Sequence, residues 1–390
     1  MITKIINAKV ICDDQIKTDV NVYFENGFVT AITEKELPFD EKIDAKGNYL
    51  SAGFIDIHTH GGGNSDFMDG GAEAFVNPAV AHAKHGTTAL FPTVTSGSFA
   101  EINQSCSDFR KAKELEFSGA RLMGVHLEGP YFAMSQKGAQ DPKYVRNPEP
   151  QEYIKILNSH KDVIKRWSAA PELKGAFEFA KVLKQNGILA SMGHTEVDCI
   201  GAKEAMENGF AHITHLYSCT AGVTRKNAFR YAGLNEAAFL YDDLTFEIIA
   251  DGCHLPKELL QFIYKLKSPD KVALVTDSIR AAGFNCNESI IGSKENGMHV
   301  IIEDDVAKLP DRTAFAGSIA TMDRLVRNMV NMGGASLTDA VKMATKTPAK
   351  IMGLSEMGEI KEGFVADFVV FDENINVKQT IVKGKTIYKN

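Results

Sequence analysis

Six short segments of this 390-residue chain carry histidines or carboxylates at spacings that could bind a metal ion or move a proton. They are Asp56 with His58 and His60, His126-Leu127-Glu128, Gly193-His194, Thr214-His215, Asp251-Gly252-Cys253-His254 and Thr276-Asp277-Ser278. His58 and His60 stand two apart, so on a strand their imidazoles point to the same side. Glu128 offers an anionic oxygen, and His194 and His215 offer further imidazoles. A mixed nitrogen and oxygen donor set suits zinc or ferrous iron better than magnesium or calcium, which favour all-oxygen shells. A divalent ion held this way would polarise a carbonyl and bring the pKa of a bound water toward neutrality. Asp277 is then the natural base for that water and the later acid for a leaving group. His126, two residues before Glu128, shares its inward face, either as a partner of the ligands or as packed core.

These residues need elements that bring them together, and each segment ends a β-rich run. Such runs occur at Gly53–His58, Thr87–Thr93, Arg121–Leu127, Ile164–Ala169, Ile188–Ser191, His212–His215, Leu244–Ala250 and Val272–Thr276. Helix-compatible segments separate most of them, among them Ala72–Lys84, Phe99–Glu116, Glu172–Lys184, Val197–Glu207 and Lys257–Leu266. Alternating β and α predicts a parallel sheet, and eight repeats are the number that closes a barrel, with an open doubly wound sheet as the alternative. In a barrel, catalytic groups gather at the C-terminal ends of the strands, where these residues fall. Both ends of the chain read as short strands instead, with hairpin turns at Glu25-Asn26-Gly27 and Lys383-Gly384-Lys385. The pattern predicts an α/β fold: a (β/α)8 barrel over 51–354, and one small β domain assembled from 1–50 and 355–390. Gly61-Gly62-Gly63 reads as a loop that lets substrate approach the metal, Trp167 as core, and His82 and His85 as surface or packing residues.

Composition excludes several function classes. The chain has 43 Lys and Arg against 50 Asp and Glu, a net charge of -7, which argues against a nucleic-acid partner but not against a local pocket for a small anion. No stretch of about 18 apolar residues occurs, and Met1–Val10 is broken by Thr3, Lys4, Asn7 and Lys9, so neither membrane insertion nor secretion is expected. Six scattered cysteines without a C-x-x-C pair form neither a disulfide framework nor a zinc-finger pattern, and a reducing cytoplasm is the expected setting.

The motifs Gly53-Phe-Ile-Asp-Ile-His-Thr-His60, Val125-His-Leu-Glu-Gly-Pro130, Gly193-His-Thr195, Thr214-His-Leu-Tyr217, Ala250-Asp-Gly-Cys-His254 and Val275-Thr-Asp277 resemble the amidohydrolase superfamily. Within it they resemble the N-acetylglucosamine-6-phosphate deacetylase family, and Ala316–Asp323 and Gly358–Asp372 extend the likeness over almost the whole chain. The resemblance implies a TIM-type barrel with a small β-sandwich, hydrolysis of the N-acetyl group of an amino-sugar 6-phosphate, and a homodimer. It also implies Glu128, His194 and His215 as principal metal ligands and Asp277 as the catalytic aspartate. With His58 and His60 retained, a second ion could bind. His254 would contact the sugar, and Arg230, from a neighbouring subunit, the phosphate.

Three departures touch the substrate end. Ser218-Cys219-Thr220 stands where the family has Asn-Ala-Met, leaving backbone N–H groups to bind an oxyanion. Where the family often has a histidine that polarises the amide carbonyl, the nearest counterpart here is Gln140, a neutral donor. The stretch from Ser218 to Arg230 is slightly longer, so Arg225 and Lys226 compete with Arg230 for the phosphate. The alternatives are a deacetylase for a different or unphosphorylated N-acetyl hexosamine, or a non-catalytic scaffold. Ring-opening relatives carry a modified lysine where this chain has Glu128.

Overall fold

A computed structural model describes all residues from Met1 to Asn390. Its centre is a parallel barrel of eight strands, β1 (Phe54–Thr59), β2 (Thr87–Val94), β3 (Val125–Glu128, prolonged backward by Arg121–Leu122), β4 (Ile164–Ala169), β5 (Leu189–Met192), β6 (Phe210–Ile213), β7 (Thr245–Ile248) and β8 (Val272–Leu274). Neighbours pair in sequence order from β1 through β8. Closure between β8 and β1 is thinner. There the Asp277 N–H donates to the His58 carbonyl at 2.9 Å, and the Thr276 hydroxyl donates to Asp56 at 2.6 Å.

Helices fill the crossovers because their apolar stripes need cover. Phe99–Glu114 starts at a capping box in which the Ser98 hydroxyl accepts the Glu101 N–H while the Glu101 carboxylate accepts the Ser98 N–H. Phe179, on the helix Ala176–Gln185, meets Trp167 and Tyr131 edge-on at 5.0 and 5.2 Å, and all three side chains are fully buried. Truncating Phe179 to alanine there costs about 3–5 kcal/mol. Trp167 is core, as its sequence context suggests, and its indole N–H donates to the Gly129 carbonyl at 2.7 Å.

Both chain ends contribute to two further sheets. One orders Phe28–Thr33, Asn21–Glu25, Thr3–Ile6 and Glu41–Asp44. The other orders Lys385–Lys389, Val377–Val382, Phe368–Phe371, Tyr49–Ala52, Lys9–Cys12 and Gln15–Lys17. Ile5, Val10, Val22, Leu50, Phe368 and Ile381 form a shared apolar core. The Asn26-Gly27 turn has φ of 52° and 82°, the left-handed pair that a two-residue hairpin requires. Thr380 on this second sheet donates to the Ala83 carbonyl at 2.7 Å, and Arg121 pairs with Asp367, which ties the sheet to the barrel.

Local departures from the sequence reading have physical causes. After β8 the chain builds a three-stranded meander, Glu288–Ile291, Met298–Glu303 and Val306–Lys308, where no strand was expected. Its strands are short, three to six residues each. Tertiary contacts hold it, since the buried Arg280 donates to Asp69 twice at 2.9 Å and to the Ile290 and Gly292 carbonyls at 2.8 and 2.5 Å. The helix expected from Glu172 starts at Ala176, and β6 and β8 stop short of His215 and Thr276. Gly61 and Gly62 are packing residues. A Cβ on Gly61 would lie 2.2 Å from the Ser65 carbonyl oxygen, and one on Gly62 2.8 Å from His82 Nε2. No helix is long and apolar enough to cross a membrane, and all six cysteines are free.

Candidate active site

At the C-terminal mouth of the barrel, β1 delivers His58 and, one residue past its end, His60, and β3 delivers Glu128. His194, His215 and Asp277 lie two or three residues beyond the ends of β5, β6 and β8, with φ of 48°, 26° and 47°. A left-handed backbone costs a non-glycine residue on the order of 1–3 kcal/mol and persists where its surroundings enforce it, commonly at functional sites. Here it turns three side chains inward from strands that have already ended.

Two triads result, His58–His60–Asp277 and Glu128–His194–His215, and in each the ligating atoms lie within 4.8 Å of one another. Glu128 stands between them. Its Oε1 is 2.9 Å from His215 Nε2, 3.2 Å from His194 Nε2 and 3.5 Å from His58 Nε2, and its Oε2 is 3.2 Å from His60 Nε2. Asp277 Oδ1 lies 3.2 Å from His60 Nε2 and 3.3 Å from His58 Nε2. All six residues are buried.

Three of the four outer imidazole nitrogens have acceptors, and the buried His60 Nδ1 has none. His58 Nδ1 meets the Glu247 carboxylate at 2.6 Å, His194 Nδ1 the Gln136 carbonyl at 2.8 Å, and His215 Nδ1 the Ser218 carbonyl at 3.0 Å. Each acceptor holds the proton on Nδ1, so that Nε2, once it has lost its own proton, turns its lone pair inward. The fully buried His58 Nε2 has no hydrogen-bond partner, and a buried donor or acceptor left alone is costly. The donor set and this orphaned nitrogen fit a divalent cation.

Electrostatics agree. Burial opposes charge on His58 and His60, yet the carboxylates of Asp277 and Glu128, with Glu247 beside His58, raise them to about 9 and about 10. Glu128 is likewise held well below the usual carboxylate range against its burial, by the charge of His58 and by hydrogen bonds from His194 and His215. Asp277 is also lowered despite burial, by His58 and His60. Two buried carboxylates therefore demand positive charge at this spot.

The triads open on a cleft of about 250 Å³ whose lining includes His60, Gln140, His254, Asp277 and the loop Tyr217-Ser218-Cys219. Ile291, from the meander, and Phe315 close its outer side. His254 Nδ1 is held by Asp251 at 2.8 Å and its ring leans on Phe315 at 4.7 Å. Gln140 donates to Glu128 Oε2 at 2.9 Å, while its amide oxygen accepts from Thr95 and Ser96 at 2.8 and 2.9 Å. Arg230 stands apart from the rest. It lies exposed on the hairpin Thr224–Lys226 and Phe229–Tyr231, where its guanidinium donates to Ala228, and neither arginine nor lysine lines the cleft. Arg225 and Lys226 are exposed on the same hairpin.

A buried polar layer beneath the triads was not singled out in the sequence. Glu247, Arg166 and His212 are 0 % exposed. His126 bridges Thr93 at 3.1 Å and Ser168 at 2.7 Å with its edge on His58 at 4.7 Å, and so backs His58 with both ring nitrogens engaged. Burial, with Arg166 close by, drives the His126 pKa well down, so its imidazole is neutral. The available signal was an ionisable residue inside an otherwise apolar strand, as in Ile164-Lys-Arg-Trp167, Phe210-Ala-His-Ile213 and Thr245-Phe-Glu-Ile248. His82 is packing, bound to the Gly61 carbonyl at 2.9 Å, and His85 pairs with Asp323 at 3.2 Å.

Known proteins carry the same architecture. The chain matches the amidohydrolase family over residues 49–387. It is 30% identical to N-acetylglucosamine-6-phosphate deacetylase of Lysinibacillus sphaericus over 348 residues, covering 88% of this chain and 87% of that protein. Against the enzyme of the same name from Bacillus subtilis it is 30% identical over 382 residues, 94% of each. The crystal structure of N-acetylglucosamine-6-phosphate deacetylase from Pasteurella multocida superposes over 100% of both chains with a TM-score of 0.92 at 26% identity. An eight-stranded barrel with a histidine and carboxylate mouth, matched along its length by these relatives, makes this chain an enzyme of the amidohydrolase family, in its N-acetylglucosamine-6-phosphate deacetylase branch.

Proposed function

We propose that this chain hydrolyses the N-acetyl group of N-acetylglucosamine-6-phosphate, giving glucosamine-6-phosphate and acetate. The observation that supports this foremost is Glu128 standing between two ligand triads while Asp277 faces the cleft. Zinc or iron held by Glu128, His194 and His215, with a second ion at His58, His60 and Asp277, would polarise the amide carbonyl and make a nearby water acidic. Asp277, with its lowered pKa, accepts a proton from that water as oxygen bonds to the carbonyl carbon. It then gives the proton to the amide nitrogen as the carbon–nitrogen bond breaks, so one water is consumed and acetate and amine leave.

The cleft residues bind and orient the sugar. His254, fixed through Nδ1 by Asp251, offers Nε2 to a sugar hydroxyl. Gln140 steadies Glu128 from the cleft side. Ser218 and Cys219 lie on the loop lining the cleft, and with the Ser218 N–H taken by the His215 carbonyl at 2.9 Å, the Cys219 N–H and the Ser218 hydroxyl are left to receive an oxyanion. Phe229, 71% exposed, and Val223, 61% exposed, flank the hairpin arginines and support a homodimer in which Arg230 reaches the cleft of a second copy. The free thiols fit a cytoplasmic setting.

A cleft without its own arginine or lysine favours a second reading, a deacetylase for a different or unphosphorylated N-acetyl hexosamine. Acetate release from a panel of N-acetyl sugars, with and without 6-phosphate and after metal reconstitution, tests both. Preference for N-acetylglucosamine-6-phosphate is expected. Equal rates on the unphosphorylated sugar would remove the phosphate assignment, and no acetate from any of them would remove the deacetylase reading.

A further inference from the structure

Glu247 lies on β7 at the bottom of the site, fully buried, and its carboxylate meets both halves of the metal centre. Oε1 accepts from His58 Nδ1 at 2.6 Å and from the His215 backbone N–H at 3.2 Å. Oε2 accepts from Arg166 Nη1 at 2.5 Å and lies 3.4 Å from His212 Nε2. Arg166 is pinned in turn, donating to Ser191 at 3.0 Å, to Thr214 at 3.0 Å and to the Ile57 carbonyl at 3.3 Å. A buried carboxylate is tolerated when its lone pairs are met in this way, and these partners leave it little freedom to turn.

The two triads depend on this residue unequally. His194 and His215 have their own carbonyl acceptors, Gln136 and Ser218, for Nδ1. His58 has only Glu247 at Nδ1, and no hydrogen-bond partner at Nε2. We infer that Glu247 is a positioning residue that decides whether the His58–His60–Asp277 position takes a divalent ion, through the tautomer and aim of His58. The inference rests on the metal centre proposed above and goes beyond it by assigning the control of one position to a residue that touches no ion.

Zinc titration of the full chain with metal analysis after gel filtration, repeated with cobalt to read visible absorption, tests it. The wild-type chain is expected to take two ions. In Glu247→Gln the first ion is retained and the second binds about 10–100-fold more weakly, the usual effect of losing a ligand's outer partner. Because this variant leaves Arg166 buried without its counter-ion, a Glu247→Leu/Arg166→Met double variant removes both charges. Its melting temperature should exceed that of Glu247→Gln, while its second ion stays weak. Two ions at unchanged affinity in Glu247→Gln, or a second site restored together with melting temperature in the double variant, would overturn the inference and leave the metal centre standing. A wild-type chain that takes fewer than two ions would overturn the two-ion reading and this inference together.

Discussion

The floor of the cleft and its rim are built to different rules. On the floor, strand ends supply buried donors, the Nδ1 atoms of His58, His194 and His215 each have an acceptor, and a further buried ion pair, Arg166–Glu247, lies below. At the rim, a loop with left-handed Tyr217 and Cys219, an inserted meander and an exposed hairpin carry residues proposed to meet substrate. Rigid barrels with variable loops separate reaction type from substrate choice, and this chain follows that division. Of the motifs that carry the resemblance, those with His58, His60, Glu128, His194, His215 and Asp277 lie on the floor, while Ser218-Cys219-Thr220 and the stretch to Arg230, where the resemblance breaks, lie at the rim.

Changes on the floor should abolish chemistry, and changes at the rim should shift affinity. The largest loss is expected for Asp277→Asn, where removal of a general acid and base lowers kcat by about 10²–10⁴-fold, measured by acetate release with metal content checked in parallel. Chelation should remove activity, and zinc or ferrous iron should restore it. Metal uptake should also depend on pH. His58 and His60, at about 9 and about 10, must lose protons to ligate an ion, so affinity is expected to be weaker at pH 6 than at pH 8 and loading to release protons. Zinc titrations at the two values check the sign, and equal affinity would mean that these imidazoles are not ligands.

Smaller effects belong to the rim. Asp251→Asn leaves His254 in place without its carboxylate partner, and KM should rise up to about tenfold with kcat less affected, as befits one charged hydrogen bond of about 1.5 kcal/mol. The smallest change is expected for Ser218→Asn, which adds an amide donor at the proposed phosphate end of the cleft. It should lower KM for the phosphorylated sugar by a few-fold, about 1 kcal/mol, and leave the unphosphorylated one alone. A Ser218→Asn variant unchanged on both sugars would place phosphate recognition elsewhere, with the hairpin arginines the next to test.

Much of the barrel was legible because its signals are local. β-rich runs alternate with helical segments, and Ile164–Ala169 and Lys257–Leu266 have the same limits in the structure as in the sequence reading. The Asn26-Gly27 turn was equally plain, since few other pairs adopt that backbone. The meander was missed because its short strands owe their place to Arg280 and Asp69, about 210 residues apart in the chain. Gly61 and Gly62 were misread for a related reason. The need for glycine there comes from His82 and Ser65 pressing on the backbone, which no spacing rule reveals.

By itself the sequence determined the donor types, their order along the chain and the alternation that makes a barrel, because residue identity and periodicity need no partner to be read. Only the tertiary structure decided that Glu128 lies between two triads, that Glu247 and Arg166 support them from below, and that Arg230 stands outside its own cleft. Those relations join residues far apart in the chain. They depend on strand register and on backbone bends at His194, His215 and Asp277, which packing enforces against local preference.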